Sequence, residues 1–236
     1  PFTILWPILI TFFIFVIFSH TNPLHVWLWA QLAVFLHVFV DIFNSYGTQA
    51  LRPITNKWIQ LSVINTFDPI IFIILSTGVL LWILGIHPYI VFFPIILILI
   101  GYYIVRFKMQ AAIRKQALQK IEQSHTPVKV FVAPTIKFHV WRVAIQTDKH
   151  DYVGVSKWKN VDFTDKVKRQ SMTPDSILWK VKCNKDIYTF LNFSSIYRWQ
   201  TTPLDDGKKE IRLMDLRYLN KVLYSFVAIA LLKTQK

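Results

Sequence analysis

YIVFFPIILILIGYYIVRF (residues 89–107) runs directly into KMQAAIRKQALQK (residues 108–120). The first stretch is apolar for 19 residues and carries one charge, Arg106, next to its end. The second carries four bases and no acid. A helix needs about 20 apolar residues to cross a bilayer, so the first stretch is long enough to span and the second is its aqueous continuation. The same change of character divides the whole chain. Residues 1–107 hold three bases (Arg52, Lys57, Arg106) and two acids (Asp41, Asp68). Residues 108–236 hold the other 24 bases and 11 acids, and the chain of 236 residues has a net charge of +14. One half is almost uncharged, and the other is polar and strongly basic. This excludes a single soluble globule and a disordered chain, and the single cysteine, Cys183, excludes a disulfide scaffold. The pattern reads as an α-helical polytopic membrane domain followed by a small, mostly-β cytosolic domain.

Working upstream from residue 89, three more apolar stretches qualify as spans: residues 3–19, 24–43 and 69–84. The first and third are short. Pro7 and Pro94 fall inside spans, which a membrane helix tolerates where neighbours satisfy the freed carbonyls. The first span has neither a basic leader nor a small-residue cleavage site and is not read as a signal peptide. The sequence opens at Pro1 without a methionine, so a further N-terminal segment is expected. Orientation follows from the loop charges. Arg52 and Lys57 lie between spans two and three, and Arg106, Lys108, Arg114 and Lys115 stand at the end of span four, whereas residues 20–23 and 85–88 have no Lys or Arg. Both basic sides, and the C-terminal domain with them, are expected in the cytosol of a multi-pass cell-membrane protein. Cys183 fits that reducing compartment.

Working downstream, residues 108–126 read as a basic linker helix resting on anionic head groups. From residue 127 the apolar period becomes two. Val128, Val130 and Val132 alternate, then Phe138 and Val140, then Ile177, Trp179, Val181 and Cys183. The apolar run 226–232 is expected to be a buried closing strand, and Asp206-Gly207 is a two-residue hairpin signal. Six or seven strands in residues 127–236 suggest one small antiparallel sheet or barrel. No glycine-rich phosphate loop, Cys-x-x-Cys or Gly-x-Ser-x-Gly is present. Trp141, Trp158, Trp179, Tyr197 and Trp199 lie among bases and could stack on single-stranded nucleic acid. In a small sheet such residues are more often core, so no specific nucleic-acid partner is expected.

The chemistry concentrates at the end of span two. His37, Asp41, Asn44 and Thr48 are spaced i, i+4, i+7 and i+11, one stripe if the helix continues that far. An imidazole and a carboxylate one turn apart inside an apolar span are expensive unless paired or bound to metal. Two readings stand: the residues share a divalent cation, or they hydrogen-bond each other at a helix contact. Asp68-Pro69 reads as an N-cap with proline at the first helical position, and such a carboxylate can also face a site.

His37-x-x-x-Asp41-x-x-Asn44-x-Tyr46-Gly47-Thr48, with Pro53 and Asp68-Pro69, resembles the bacterial membrane-bound metal-dependent hydrolases of the YdjM type. Pro134-Thr135, Trp141-Arg142-Val143 and Tyr152-Val153-Gly154 are similar to the β-rich tail of the YfhP-like branch. The resemblance covers nearly the whole chain. It implies a helical site distantly similar to zinc-dependent phospholipase C, with His37 and Asp41 as metal ligands and zinc as the ion. The family pattern has further His and Asp motifs upstream, and this sequence starts after the point where they would lie. On this reading Asn44 and Thr48 contact substrate or support the ligands, and Asp68 is a ligand or general base. The substrate would be a phosphoester or lipid-like molecule at the cytoplasmic face. The alternative is a non-catalytic anchor that presents a basic β-domain to anionic lipid, nucleic acid or a protein. Membrane lipid is a partner under both.

Overall fold

Asn22-Pro23, Asp68-Pro69 and His87-Pro88 each open a helix in the same way. The residue before the proline caps the free N–H groups, and the proline occupies the first helical position, where its missing N–H costs nothing. Asn22 Oδ1 accepts from the backbone N of Leu24 (3.0 Å) and His25 (3.2 Å), and Asp68 Oδ1 accepts from Ile70 (3.0 Å) and Ile71 (3.3 Å). These caps start α2 (Pro23–Asp41), α3 (Pro69–Ile83) and α4 (Pro88–Lys120), which follow α1 (Phe2–Ile17). The structure, a computed structural model, describes residues 2–169, 185–204, 208–218 and 226–233. The strand expected at Ile177, Trp179, Val181 and Cys183 and the Asp206-Gly207 turn lie outside those residues.

The described chain forms two compact units, Pro1–Thr66 and Phe67–Lys236. In the first, α1 and α2 form a hairpin. Pro7 leaves the Thr3 carbonyl without its helical donor, and Gln31 Nε2 of α2 donates to that carbonyl at 3.3 Å. In the second unit, α3 packs on α4 at Gly78, where a methyl group would run into the Ile95 side chain. Two helices, α2 and α4, are long and apolar enough to cross a membrane, whereas α1 and α3 are shorter apolar helices. All four leave large apolar side chains uncovered, among them Phe12, Phe35, Ile73 and Ile90.

Helix α4 has 33 residues, about 50 Å at 1.5 Å per residue, well beyond a bilayer core of about 30 Å. Its C-terminal part is more than the linker expected. Ile113, Ala117 and Ile121, four residues apart, bury one stripe against a four-stranded sheet. That sheet is an antiparallel meander of β1 (Pro127–Pro134), β2 (Val140–Thr147), β3 (His150–Lys157) and β4 (Asn160–Lys168). Alternation assigns its two faces. Val132, Trp141, Val143, Ile145 and Tyr152 face α4, while Phe131, Ala133, Ala144 and Val153 pack with Ile196 and Leu216 on the other side.

Those last two residues belong to a second module, which makes the expected single sheet or barrel two sheets. Helix α5 (Lys185–Phe193) leads to β5 (Tyr197–Pro203), β6 (Lys208–Asp215) and β7 (Val227–Lys233), an antiparallel sheet in that order. The division arises because both faces of β2 are already covered, one by α4 and one by this module. Among the described residues β7 pairs only with β6, so it ends this sheet, and it is half-exposed where a buried closing strand was expected. Ala228 and Ala230 face the core with Ile211 and Leu213, while Val227, Ile229 and Leu231 are exposed. Polar pins fix the second module to the first. Arg198 Nη1 and Nη2 each donate to Asp165 Oδ2 at 3.2 Å, and Gln146 Nε2 donates to the Tyr197 carbonyl at 3.1 Å. At the same junction Arg217 Nη2 meets Asp215 Oδ2 at 2.6 Å, both side chains fully buried.

Candidate functional site

Helix α2 stops at Asp41, so the stripe proposed from spacing is cut after its second member. Asn44 is the cause. Its Oδ1 accepts from the backbone N of Tyr46 (2.8 Å) and Gly47 (2.7 Å), drawing the chain into a turn that competes with the helix. Gly47 then takes φ +70°, and a side chain there would collide with the Ile59 carbonyl. The carbonyls just past the helix end are satisfied by the returning segment: Leu61 N donates to Ile42 O and Val63 N to Phe43 O, both at 2.8 Å. Trp58 Nε1 donates to Tyr46 O at 2.6 Å, and Gln60 Nε2 donates to Ser45 O. Asn44 is therefore buried as an organiser of the turn, and Thr48 has left the stripe for a β-bridge with Ile59.

What remains together is His37, Asp41 and Asn44. His37 Nε2 lies 3.6 Å from Asp41 Oδ2, and Asn44 Nδ2 donates to Asp41 Oδ1 at 3.0 Å. The His37 side chain is 79% exposed and that of Asp41 36%. Asn44 thus holds one oxygen of Asp41 and leaves the other toward the imidazole. Among the described residues no group of three His, Cys, Asp or Glu is placed to share a metal ion. His37 and Asp41 supply two donors, one short of the three protein ligands of a catalytic zinc. Thr48 lines a cavity of about 260 Å³ with Val38, Gln49, Arg52 and Trp58, and neither His37 nor Asp41 lines it.

Asp68 belongs to the second unit, where both of its oxygens are engaged. Oδ1 caps α3, and Oδ2 accepts from Tyr102 Oη at 2.8 Å. The cap reading describes it, and the geometry gives no support to a ligand or general base. Beside it lies a residue that sequence reasoning used only as a topology charge. Arg106, fully buried, donates from Nη1 to the Phe138 carbonyl at 2.8 Å and places its guanidinium carbon 4.3 Å from the Trp141 ring centre. A lone cation inside an apolar stretch was the available signal.

Of the aromatics considered for base stacking, Trp141 is fully buried, Tyr197 and Trp199 pack on the second sheet, Trp158 is exposed, and Trp179 lies outside the described residues. Two further histidines meet at the other end of the meander. His125 and His150 stack at 4.6 Å, and His125 Nδ1 lies 2.6 Å from Tyr152 Oη. Burial and the neighbouring His125 hold the His150 pKa below its ordinary value.

An apolar helical region, α4 continued into a β-sheet domain and an ionisable pair at the end of α2 define the class: a membrane protein with a sheet domain appended to its last long helix. Known proteins carry the same division. The YdjM inner membrane protein family matches residues 1–113, the YfhP middle domain residues 125–167, and the YfhP C-terminal alpha/beta plait domain residues 176–236. YfhP of Bacillus subtilis (strain 168) is 40% identical over 230 residues, 97% of this chain and 69% of that protein. The chain belongs to the YfhP family. No solved structure matches it significantly. The resemblance read from the residues is thus to the right family. The matched descriptions name a membrane location and domains, and no reaction.

Proposed function

We propose that the chain is the membrane-seated part of a metal-dependent hydrolase acting on a phosphoester or lipid-like substrate at the cytoplasmic face. In this reading four helices span the bilayer and the sheet domain lies in the cytosol. One observation carries it: His37 and Asp41 face each other one turn apart, with Asp41 steadied by Asn44. The two side chains fit two positions of a divalent site, and the remaining ligands come from outside residues 1–236. A divalent ion bound there would lower the pKa of its water to about 7. The chain's own residues do the rest. Asn44 fixes the carboxylate, and Thr48 with Arg52 lines a cavity suited to an anionic oxygen.

Zinc content of the full-length protein tests the site. Metal that falls in His37→Ala and Asp41→Asn supports the reading, and equal metal in all three proteins overturns it. Topology is tested separately by cysteines at positions 57 and 87 in intact cells. Labelling of position 57, and not position 87, by an impermeant reagent would reverse the orientation. The anchor reading is favoured by a different observation, the burial of Ile113 and Ala117 of α4 and of Ile121 just after it in the sheet core, which makes the sheet an extension of a membrane helix. A full-length protein that binds no zinc and hydrolyses no phosphoester would move the assignment there.

A further inference from the structure

The Arg106 clasp fixes the height of the sheet along α4. Phe138, at the β1–β2 turn, gives its carbonyl to Arg106, and its ring lies 6.3 Å from that of Tyr102. Tyr102 and Arg106 are in the last turns of the apolar stretch, which ends at residue 107. The sheet therefore does not hang free above the membrane. One of its ends is pinned level with the last turns of the helix that enters it.

That end has an unusual surface. Ile136 is 55% exposed and Trp158, at the neighbouring β3–β4 turn, 62% exposed. Trp158 adopts φ +56°, in the left-handed region that favours glycine and is costly for a bulky side chain. It is held there by stacking on His139 at 5.4 Å and by its backbone N donating to the His139 carbonyl at 2.7 Å. The β1–β2 turn is braced as well: Thr135 Oγ1 donates to the Val140 carbonyl (2.9 Å), and Val140 N donates to the Lys137 carbonyl (3.0 Å). Lys137 and Lys157 flank the two apolar tips and are exposed. The nearest acid on either turn, Asp162, is set back along β4. Exposed Trp and Ile framed by Lys, beside a clasp level with the end of a span, is the composition of a membrane interface.

We infer that the turn at residues 135–139, with Trp158 packed beside it on Phe138 and His139, seats on the anionic head-group layer of the bilayer that α4 crosses. Ile136 and Trp158 enter the interface, and Lys137 and Lys157 meet lipid phosphate. Lys159 and Asn160 lie further along α4, where Lys159 borders a cleft with Gln116 and Gln119 and Asn160 Oδ1 accepts from Lys120 Nζ at 3.0 Å, so that side of the turn contributes less. This inference rests on α4 spanning the membrane and not on the hydrolase reading.

The test uses the whole chain in vesicles of phosphatidylcholine with phosphatidylglycerol. A polarity-sensitive fluorophore is placed on single cysteines, Ile98→Cys, Ile136→Cys, Trp158→Cys or Lys168→Cys, in a Cys183→Ser background. Positions 136 and 158 should be protected from an aqueous quencher several-fold relative to position 168. Lys137→Glu with Lys157→Glu, or replacing the anionic lipid by phosphatidylcholine, should remove that protection and leave position 98 protected. Quenching at 136 and 158 equal to that at 168, with 98 protected, overturns the seat and leaves the span intact. Quenching at 98 as well overturns the span and the seat with it.

Discussion

Asp41 and Arg106 are both charges inside apolar helices, and the structure treats them in opposite ways. Arg106 is completely covered, hydrogen-bonded to the Phe138 carbonyl and stacked on Trp141. Asp41 is only partly covered, and its partner His37 is largely exposed. The sequence flag is the same in both places, an ionisable group where ionisable groups are expensive. Burial separates them. Arg106 is committed to holding a helix to a sheet, whereas His37 has a ring that makes one long contact and is open to a ligand. The first is a structural joint and the second a candidate for chemistry.

Breaking the joint should have the largest effect. Arg106→Ala leaves the Phe138 carbonyl short of a donor and opens a cavity against Trp141. Together these should cost about 3 kcal/mol or more, read as a lower thermal midpoint of the full chain in detergent. A midpoint equal to wild type would mean that Arg106 does not hold α4 to the sheet. On the other side of the comparison the expensive residue is Asn44 rather than the pair itself. Asn44→Ala leaves the backbone N of Tyr46 and Gly47 without their acceptor, for a loss of about 1–3 kcal/mol. It should also loosen Asp41, so its metal content should fall along with its stability.

Why the sequence showed one part of this and not the other is a question of local against non-local causes. The helix starts were legible because Asn22-Pro23, Asp68-Pro69 and His87-Pro88 are complete local signals. The end of α2 was overrun because the polar period continued to Thr48, although Asn44 and Gly47 together held the information that a turn begins. The resemblance was legible from the same motif, which shows that a family pattern can be read correctly while its geometry is not. The stripe Ile113, Ala117 and Ile121 was hidden among bases, and the sheet it packs against is contributed by later strands. That the strands form two sheets depends on which faces α4 and Leu216 cover, and no single segment states that.

The imidazoles of the sheet domain extend the comparison with smaller effects. His150 is held below its ordinary 6.5 by burial and by His125, and Glu122 below 4.5 chiefly by its hydrogen bond from Lys166. In both cases the folded state holds the proton less tightly than the unfolded chain does. The stability they contribute is therefore present above the unfolded values and is lost as pH falls through 6.5 and then 4.5. The midpoint of the full chain should drop between about pH 7 and about pH 5, and His150→Gln should reduce the drop. An unchanged slope in that variant would show that His150 does not carry the drop in this window.

The smallest stability effect is expected at the residue with the largest proposed chemical role. His37→Ala removes a side chain that is 79% exposed and makes one contact at 3.6 Å, so the thermal midpoint should move by no more than the equivalent of about 0.5 kcal/mol. If His37 and Asp41 instead hydrogen-bonded each other at a helix contact, loss of His37 would strand Asp41 in an apolar helix and the cost would approach that of Asn44→Ala. If it is a ligand, the fold should be indifferent while the zinc content of the full-length protein falls. The two measurements on one variant therefore separate the readings. A stable protein that has lost its metal places His37 with the chemistry, and a destabilised protein places it beside Arg106 as a structural partner.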